Sequence, residues 1–127
     1  MDLSAHHLVH QVVDGVDAIA FQRDAQGVAN LEFVRRFFST DFLRTCAEMH
    51  RLVIDLEGVI SLDSSALGPL VQKLRDIQER KGRMALAGVS SPALREIFAL
   101  TRFYKVFAIY PTRAEAITAL VQASNPA

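Results

Sequence analysis

At 127 residues the chain falls in the usual range for one domain, and 50% of those residues are apolar, enough for one continuous core. Its 14 basic and 14 acidic residues cancel and are scattered, so no basic tract could neutralise a row of phosphates and nucleic acid is not the expected partner. Charge interrupts every apolar stretch well before the ~20 residues of a membrane span, the start Met1-Asp2-Leu3-Ser4 has no signal-like leader, and the single cysteine, Cys46, excludes an internal disulfide, so the expectation is a cytoplasmic protein with no membrane contact.

Leu8 to Val13 and Val16 to Phe21 read as two strands joined by Asp14-Gly15, a pair that accepts the positive φ angles of a tight hairpin. After the polar stretch Gln22 to Gly27, apolar residues recur at Leu31, Val34, Phe38, Phe42, Cys46 and Met49. That spacing of three and four predicts a helix over about 30–49, with a kink or break at Ser39-Thr40-Asp41, where side chains compete for backbone hydrogen bonds. Cys46 reads as a small buried hydrophobe. Phe33 and Phe37 fall to the side of the stripe, a position from which they could support self-association into a homo-oligomer.

Leu52 to Leu56 is a short apolar run of the kind covered on both faces of a sheet. The next helix presents Leu67, Leu70, Val71, Leu74 and Ile77 on one side and closes on Arg80-Lys81-Gly82, a basic last turn with a glycine stop. Met84 to Val89 follows as a strand. Ser91-Pro92 then supplies a cap and a first-turn proline for a helix marked by Leu94, Ile97, Phe98 and Thr101. Arg102 and Lys105 sit near its end, where positive charge suits the helix dipole. Val106 to Tyr110 reads as the last strand, and Thr112-Arg113-Ala114-Glu115 has capping-box spacing for a closing helix through Leu120 or Val121.

This alternation predicts a single α/β domain over 1–127, with its core at about 8–121 and a short flexible tail at 122–127. It implies a mixed sheet of about five strands, mostly parallel with the first strand antiparallel at an edge, packed on about four helices.

The segment with functional content is Leu62-Asp63-Ser64-Ser65-Ala66-Leu67-Gly68, between a strand and an amphipathic helix. Small polar residues ahead of a helix usually act as caps and nothing more, and Asp63 or Ser64 fits that role. A hydroxyl there also lies beside free N–H donors at the positive end of the dipole. A phosphate would be tolerated locally and would add about −1.5 to −2 charges to whatever surface the turn presents.

Together with Leu52-Val53-Ile54-Asp55-Leu56-Glu57-Gly58-Val59, Gly82, Ala87-Gly88-Val89-Ser90-Ser91-Pro92, Phe107 and Thr112 to Ala116, this segment resembles the STAS domain family, in particular bacterial anti-sigma factor antagonists. The resemblance implies a STAS-like fold. It also implies Ser64 as phosphoacceptor, with Asp63, Ser65, Ala66, Leu67 and Gly68 on the partner-binding face. The implied partners are an anti-sigma factor that doubles as a serine kinase and binds the unphosphorylated domain, and a serine phosphatase that restores binding. Ala66 stands where the family usually has glycine, and Gln22 to Gly27 occupies the place of a Gly-Glu-Leu-Asp-like segment without matching it.

Catalysis is not expected, because Ser64 lies in no Gly-x-Ser-x-Gly elbow. No metal or cofactor is expected either: His6, His7 and His10 lack companions in a ligand pattern and read as exposed strand-edge residues. Two further readings keep the fold and change the role. One is a non-switching structural subunit of a signalling assembly or of an ABC-type lipid transport complex, and the other is a small-molecule sensor.

Overall fold

The computed structural model describes residues 7–123, so His6 and the tail from Ser124 onward lie outside the described residues. Its first two strands, β1 (Leu8–Val13) and β2 (Val16–Phe21), form an antiparallel hairpin in which Val13 pairs with Val16. Asp14 (φ 50°) and Gly15 (φ 82°) supply the two left-handed residues of the turn, a conformation glycine adopts freely and aspartate tolerates. β3 (Arg51–Asp55), β4 (Arg83–Ala87) and β5 (Ala108–Tyr110) then add in parallel to give a five-stranded sheet in the order β1-β2-β3-β4-β5.

Strand order that follows sequence order places every right-handed crossover on the same face. That face carries α1 (Leu31–Arg36), a π-helical turn (Phe37–Asp41), α2 (Phe42–Thr45), α3 (Ser64–Glu79), α4 (Pro92–Leu100) and α5 (Phe103–Val106). Among the described residues only α6 (Arg113–Ala123), which follows the last strand, returns across the opposite face. With the bent first helix counted once, there are five helices among the described residues.

The period-two alternation of the strands divides the core accordingly. Ile19, Phe21, Leu52, Ile54, Met84 and Leu86 meet the larger helical layer, while Val16, Ala18, Val53, Ala85 and Ala87 face Ala116, Ile117 and Leu120 of α6. The alanines on the α6 side let a single helix approach the sheet closely.

The first helix departs most from its periodicity. It ends at Thr45, four residues earlier than the pattern predicts, and its bend is the π turn at the Ser39-Thr40-Asp41 interruption. A π turn accommodates one residue more than the α-helical turn and rotates the helix face beyond it. Phe37 and Phe38 enter that turn already facing inward, three and four residues after the buried Val34 and at 2% and 1% exposed, whereas Leu31 at the head of the stripe is 45% exposed. Phe37 packs against the rings of Phe21, Phe33, Phe38 and Phe42, so it belongs to the core and is no self-association surface.

Several other boundaries move. Gly82 is not the left-handed stop of α3; Lys81 takes that conformation (φ 61°), and both basic residues lie beyond the last turn. Gly82 is required for another reason, since a Cβ there would stand 2.1 Å from the His50 carbonyl oxygen. The buried stripe of α3 runs through Ala66, Leu70, Lys73, Leu74 and Ile77, leaving Leu67 and Val71 half-buried; the Lys73 stem covers apolar surface and its ammonium reaches Asp76 at 3.5 Å. Residues 103–106 form the single turn α5, so β5 starts at Ala108. Arg102 ends α4 with its backbone, in the left-handed conformation (φ 62°) with its N–H donated to the Ala99 carbonyl at 3.2 Å. α6 continues to Ala123, past the predicted end.

Candidate functional site

The site is the loop from Leu56 to Asp63 and the first turn of α3, beyond the C-terminal end of β3. Leu56, Val59 and Leu62 are buried and hold the loop to the core, and the Leu56 N–H extends the ladder to the Ala87 carbonyl at 2.8 Å. On one side the Ser91 hydroxyl, at the start of α4, donates to the Ile60 carbonyl at 2.8 Å. On the other, the Ala29 N–H donates to the Gly58 carbonyl at 2.9 Å. Gly58 (φ 86°) lies so close to the Arg23 side chain and the Gly27 carbonyl that a Cβ would approach them to 2.6 and 2.8 Å. The segment Gln22 to Gly27 therefore braces this loop despite its unfamiliar residues. Its own turn is held by the Asp24 carboxylate, which accepts from the Gln26 and Val28 N–H groups at 2.9 and 3.0 Å.

Asp63 is the N-cap of α3. Its backbone is extended, and its carboxylate accepts from the Ser65 N–H at 2.9 Å and also from the Ser65 hydroxyl. The hydrogen bond from the Ser65 hydroxyl, chief among the causes, holds the Asp63 carboxyl below its ordinary range, with a smaller contribution from the nearby Arg35 guanidinium. Ser64 occupies the first helical position and is exposed, and its hydroxyl has no hydrogen-bond partner among the described residues. The turn thus assigns its two serines different work: Ser65 completes the cap and Ser64 presents a free hydroxyl.

The other predicted positions divide by burial. Ala66 is 1% exposed and belongs to the core, Leu67 is half-buried, and Gly68 is exposed with open space where a Cβ would stand. Pro69 lacks the N–H that would bond the Ser65 carbonyl, so the first turn is laced less tightly than the rest of α3.

Sequence reasoning missed a groove of about 380 Å³ beside this turn, between α1 and the start of α3. Leu31, Val34, Leu62 and Ala66 give it apolar walls, and Glu32, Arg35 and Asp63 stand at its rim. The exposed Leu31 was the available signal, as an apolar residue heading a core stripe it does not join. Also missed was the pairing of Asp55, at the end of β3, with Arg113 at the start of α6. Asp55 is 6% exposed, accepts from Arg113 Nε at 2.9 Å and, through its other oxygen, from the Glu57 N–H at 3.0 Å. A Cβ on Gly88 would come within 2.6 Å of that carboxylate, which is why the chain has glycine there. The pair fixes the exit of β3, and hence the origin of the loop that carries Ser64.

His7 and His10 do not converge on a common site. His7 packs its ring on Phe33 with centroids 5.3 Å apart, and His10 pairs with Asp17 at 2.7 Å. Among the described residues there is no cluster of three or more histidine, cysteine or carboxylate side chains able to hold a metal ion, and no helix is long and apolar enough to cross a membrane.

A family model for the STAS domain matches residues 9–116. The structure of an anti-sigma-factor antagonist (STAS) domain protein from Planctomyces limnophilus has a TM-score of 0.70 at 30% identity, covering 89% of this chain and 97% of that one. An anti-sigma factor antagonist from Mycobacterium paratuberculosis gives 0.67 at 25% identity over 89% and 92% of the two chains. The unphosphorylated form of the anti-sigma factor antagonist SpoIIAA gives 0.52 at 19% identity over 88% and 96%, a likeness of fold.

Proposed function

Because the chain belongs to the STAS domain family, we propose that it is a non-catalytic protein-binding switch of the anti-sigma factor antagonist kind, with Ser64 as its phosphoacceptor. The observation that carries this reading is the division of labour in the turn. Ser65 is tied to Asp63, whereas Ser64 is exposed with an unengaged hydroxyl at the mouth of the α3 dipole. A kinase can reach it without dismantling the cap.

The unphosphorylated face consists of Asp63, Ser64, the exposed side of Leu67 and Gly68, and the adjoining groove. In this reading it receives an anti-sigma factor that is also a serine kinase. Ala66 contributes from the floor of the groove, where its methyl group fills space that glycine would leave open. A phosphate on Ser64 would be stabilised locally by the helix N-terminus, so the domain keeps its fold. It would also stand beside the ionised Asp63, and the combined negative charge would expel the partner. A serine phosphatase would return the domain to its binding form in the cytoplasm.

The switch is tested by immobilising the wild-type domain and the Ser64→Asp variant in parallel and passing lysate of the native cell over both. The wild type should retain a protein with a kinase fold that Ser64→Asp retains at least about tenfold less, a difference of about 1.4 kcal/mol in binding. Equal retention by both would leave a constitutive binding subunit as the function.

A further inference from the structure

The parallel strands have two unlike ends. Ser64 lies beyond their C-terminal end, and the helices that connect them run back, so α3, α4 and α5 finish at the N-terminal end. Both α3 and α4 stop there on a basic residue in the left-handed conformation, Lys81 (φ 61°) and Arg102 (φ 62°), where glycine would meet no steric cost. Lys105 follows in α5, and Arg83 opens β4. Because Ala85 pairs with Ala108, the register sets Arg83 beside Val106.

All four of these basic residues are exposed, and among the described residues none of them is ion-paired. Between Glu79, the last residue of α3, and Glu115, the chain has a single acidic residue, Glu96, which lies one turn before Leu100 on α4. Asp14 and Glu48 belong to the same end but to its far half, at the β1-β2 turn and after α2. Charge that is scattered in the sequence is thus gathered by the fold.

The helix dipoles account for positive charge at Lys81 and Arg102. They do not account for the apolar side chains beside it. Leu100 is 77% exposed, Tyr104 47% and Val106 46%. Beneath them Phe103 is buried between Phe98 and Phe107, with ring centroids 5.3 and 5.2 Å apart, and Tyr104 lies against Phe98 at 6.0 Å. The corner from Leu100 to Val106 therefore stands on a fixed aromatic base and interleaves cations with unburied apolar surface.

Anionic partners would use this corner differently. Nucleic acid offers phosphates to the cations but leaves Leu100 and Val106 without an apolar neighbour. The surface of an anionic bilayer offers phosphates at the headgroup level and, just beneath them, an acyl boundary that takes leucine, valine and an interfacial tyrosine.

We propose that this end of the domain is a membrane-surface docking site for anionic phospholipid. Leu100, Tyr104 and Val106 enter the boundary between headgroups and acyl chains, while Lys81, Arg83, Arg102 and Lys105 meet the phosphates. Such adsorption needs no spanning helix, and with so few inserted side chains it is reversible. It turns the Ser64 face away from the bilayer, open to soluble partners.

Co-sedimentation of the full chain with vesicles tests this, comparing equal parts phosphatidylglycerol and phosphatidylcholine with phosphatidylcholine alone, for wild type, Lys105→Gln, Leu100→Ser and Arg95→Gln. Arg95 lies in the first turn of α4, where its Nε donates to the Val89 carbonyl at 3.0 Å, so its variant removes the same charge from the opposite end of that helix. Wild type and Arg95→Gln should bind the anionic vesicles at least about tenfold better than the neutral ones, and salt should weaken that binding. Lys105→Gln and Leu100→Ser should each weaken it about fivefold. Circular dichroism verifies that both variants are folded, and if one is not, the other decides. A wild type that stays in the supernatant with anionic vesicles overturns the proposal. Binding that Leu100→Ser leaves unchanged also overturns it and assigns the end to a purely electrostatic partner such as nucleic acid. So does an equal loss in Arg95→Gln, because total charge alone would then govern binding.

Discussion

Ser64 and Ser65 are adjacent and chemically identical, and only their placement separates them. In the sequence Asp63 or Ser64 could cap α3; in the fold the Asp63 carboxylate takes the Ser65 N–H and hydroxyl, leaving Ser64 outside the network. The cap was therefore legible as a turn, but its internal division was not, because rotamers and φ angles decide it. Cys46 shows the opposite case, a residue whose environment follows from its pattern. It is fully buried, and that burial pushes its thiol from 9.0 up to about 12. Two outcomes follow. Thiol reagents at neutral pH should modify Cys46 only at the rate of unfolding, as the thiolate is the reactive form. Because the folded value is the higher one and the protonated thiol is neutral, this group favours the native state fully below pH 9.0. That contribution declines as pH rises towards about 12, so denaturant midpoints should fall across this window in wild type and less in Cys46→Ser. Rapid native-state labelling at pH 7 would contradict the burial.

At the scale of the element, the hairpin, α3, α4 and α6 follow from their punctuation: Asp14-Gly15, Asp63, Ser91-Pro92 and Thr112 each do locally what such residues do. Local rules failed where a distant group intervened. Gly82 looks like a helix stop but exists to let β4 start against His50, and Asp55 and Arg113, 58 positions apart, announce their pairing nowhere in the sequence. The first helix is the instructive failure. The interruption at residues 39–41 showed where the helix bends, but Phe37, read as lying on the flank, stands three residues after the buried Val34 and joins the core. Phe37→Ala should therefore cost about 3–5 kcal/mol in urea denaturation, as expected for an aromatic lost from a packed site. It should not specifically alter association of the folded protein. A loss below about 1 kcal/mol would place Phe37 back on the surface.

For the molecule as a whole, the sheet order was readable in outline because alternation and crossover handedness leave few topologies. The groove beside α3 was not, since it lies between α1 and a loop that meet only in three dimensions. The two-faced sheet explains how a charge can be added at one end without disturbing the fold. The loop that leads to Ser64 is anchored by Leu56, Val59 and Leu62 below, by Ser91 and Ala29 at its flanks and by Asp55–Arg113 at its origin, so a charge added at Ser64 would stay on the surface. The central claim is that this surface is modified at Ser64. Intact-mass spectrometry after incubation with ATP and lysate of the native cell tests it most directly, on wild type, Ser64→Ala and Ser65→Ala. One added phosphate on wild type and Ser65→Ala, with none on Ser64→Ala, is the predicted result; a Ser64→Ala variant phosphorylated as fully as wild type would contradict it.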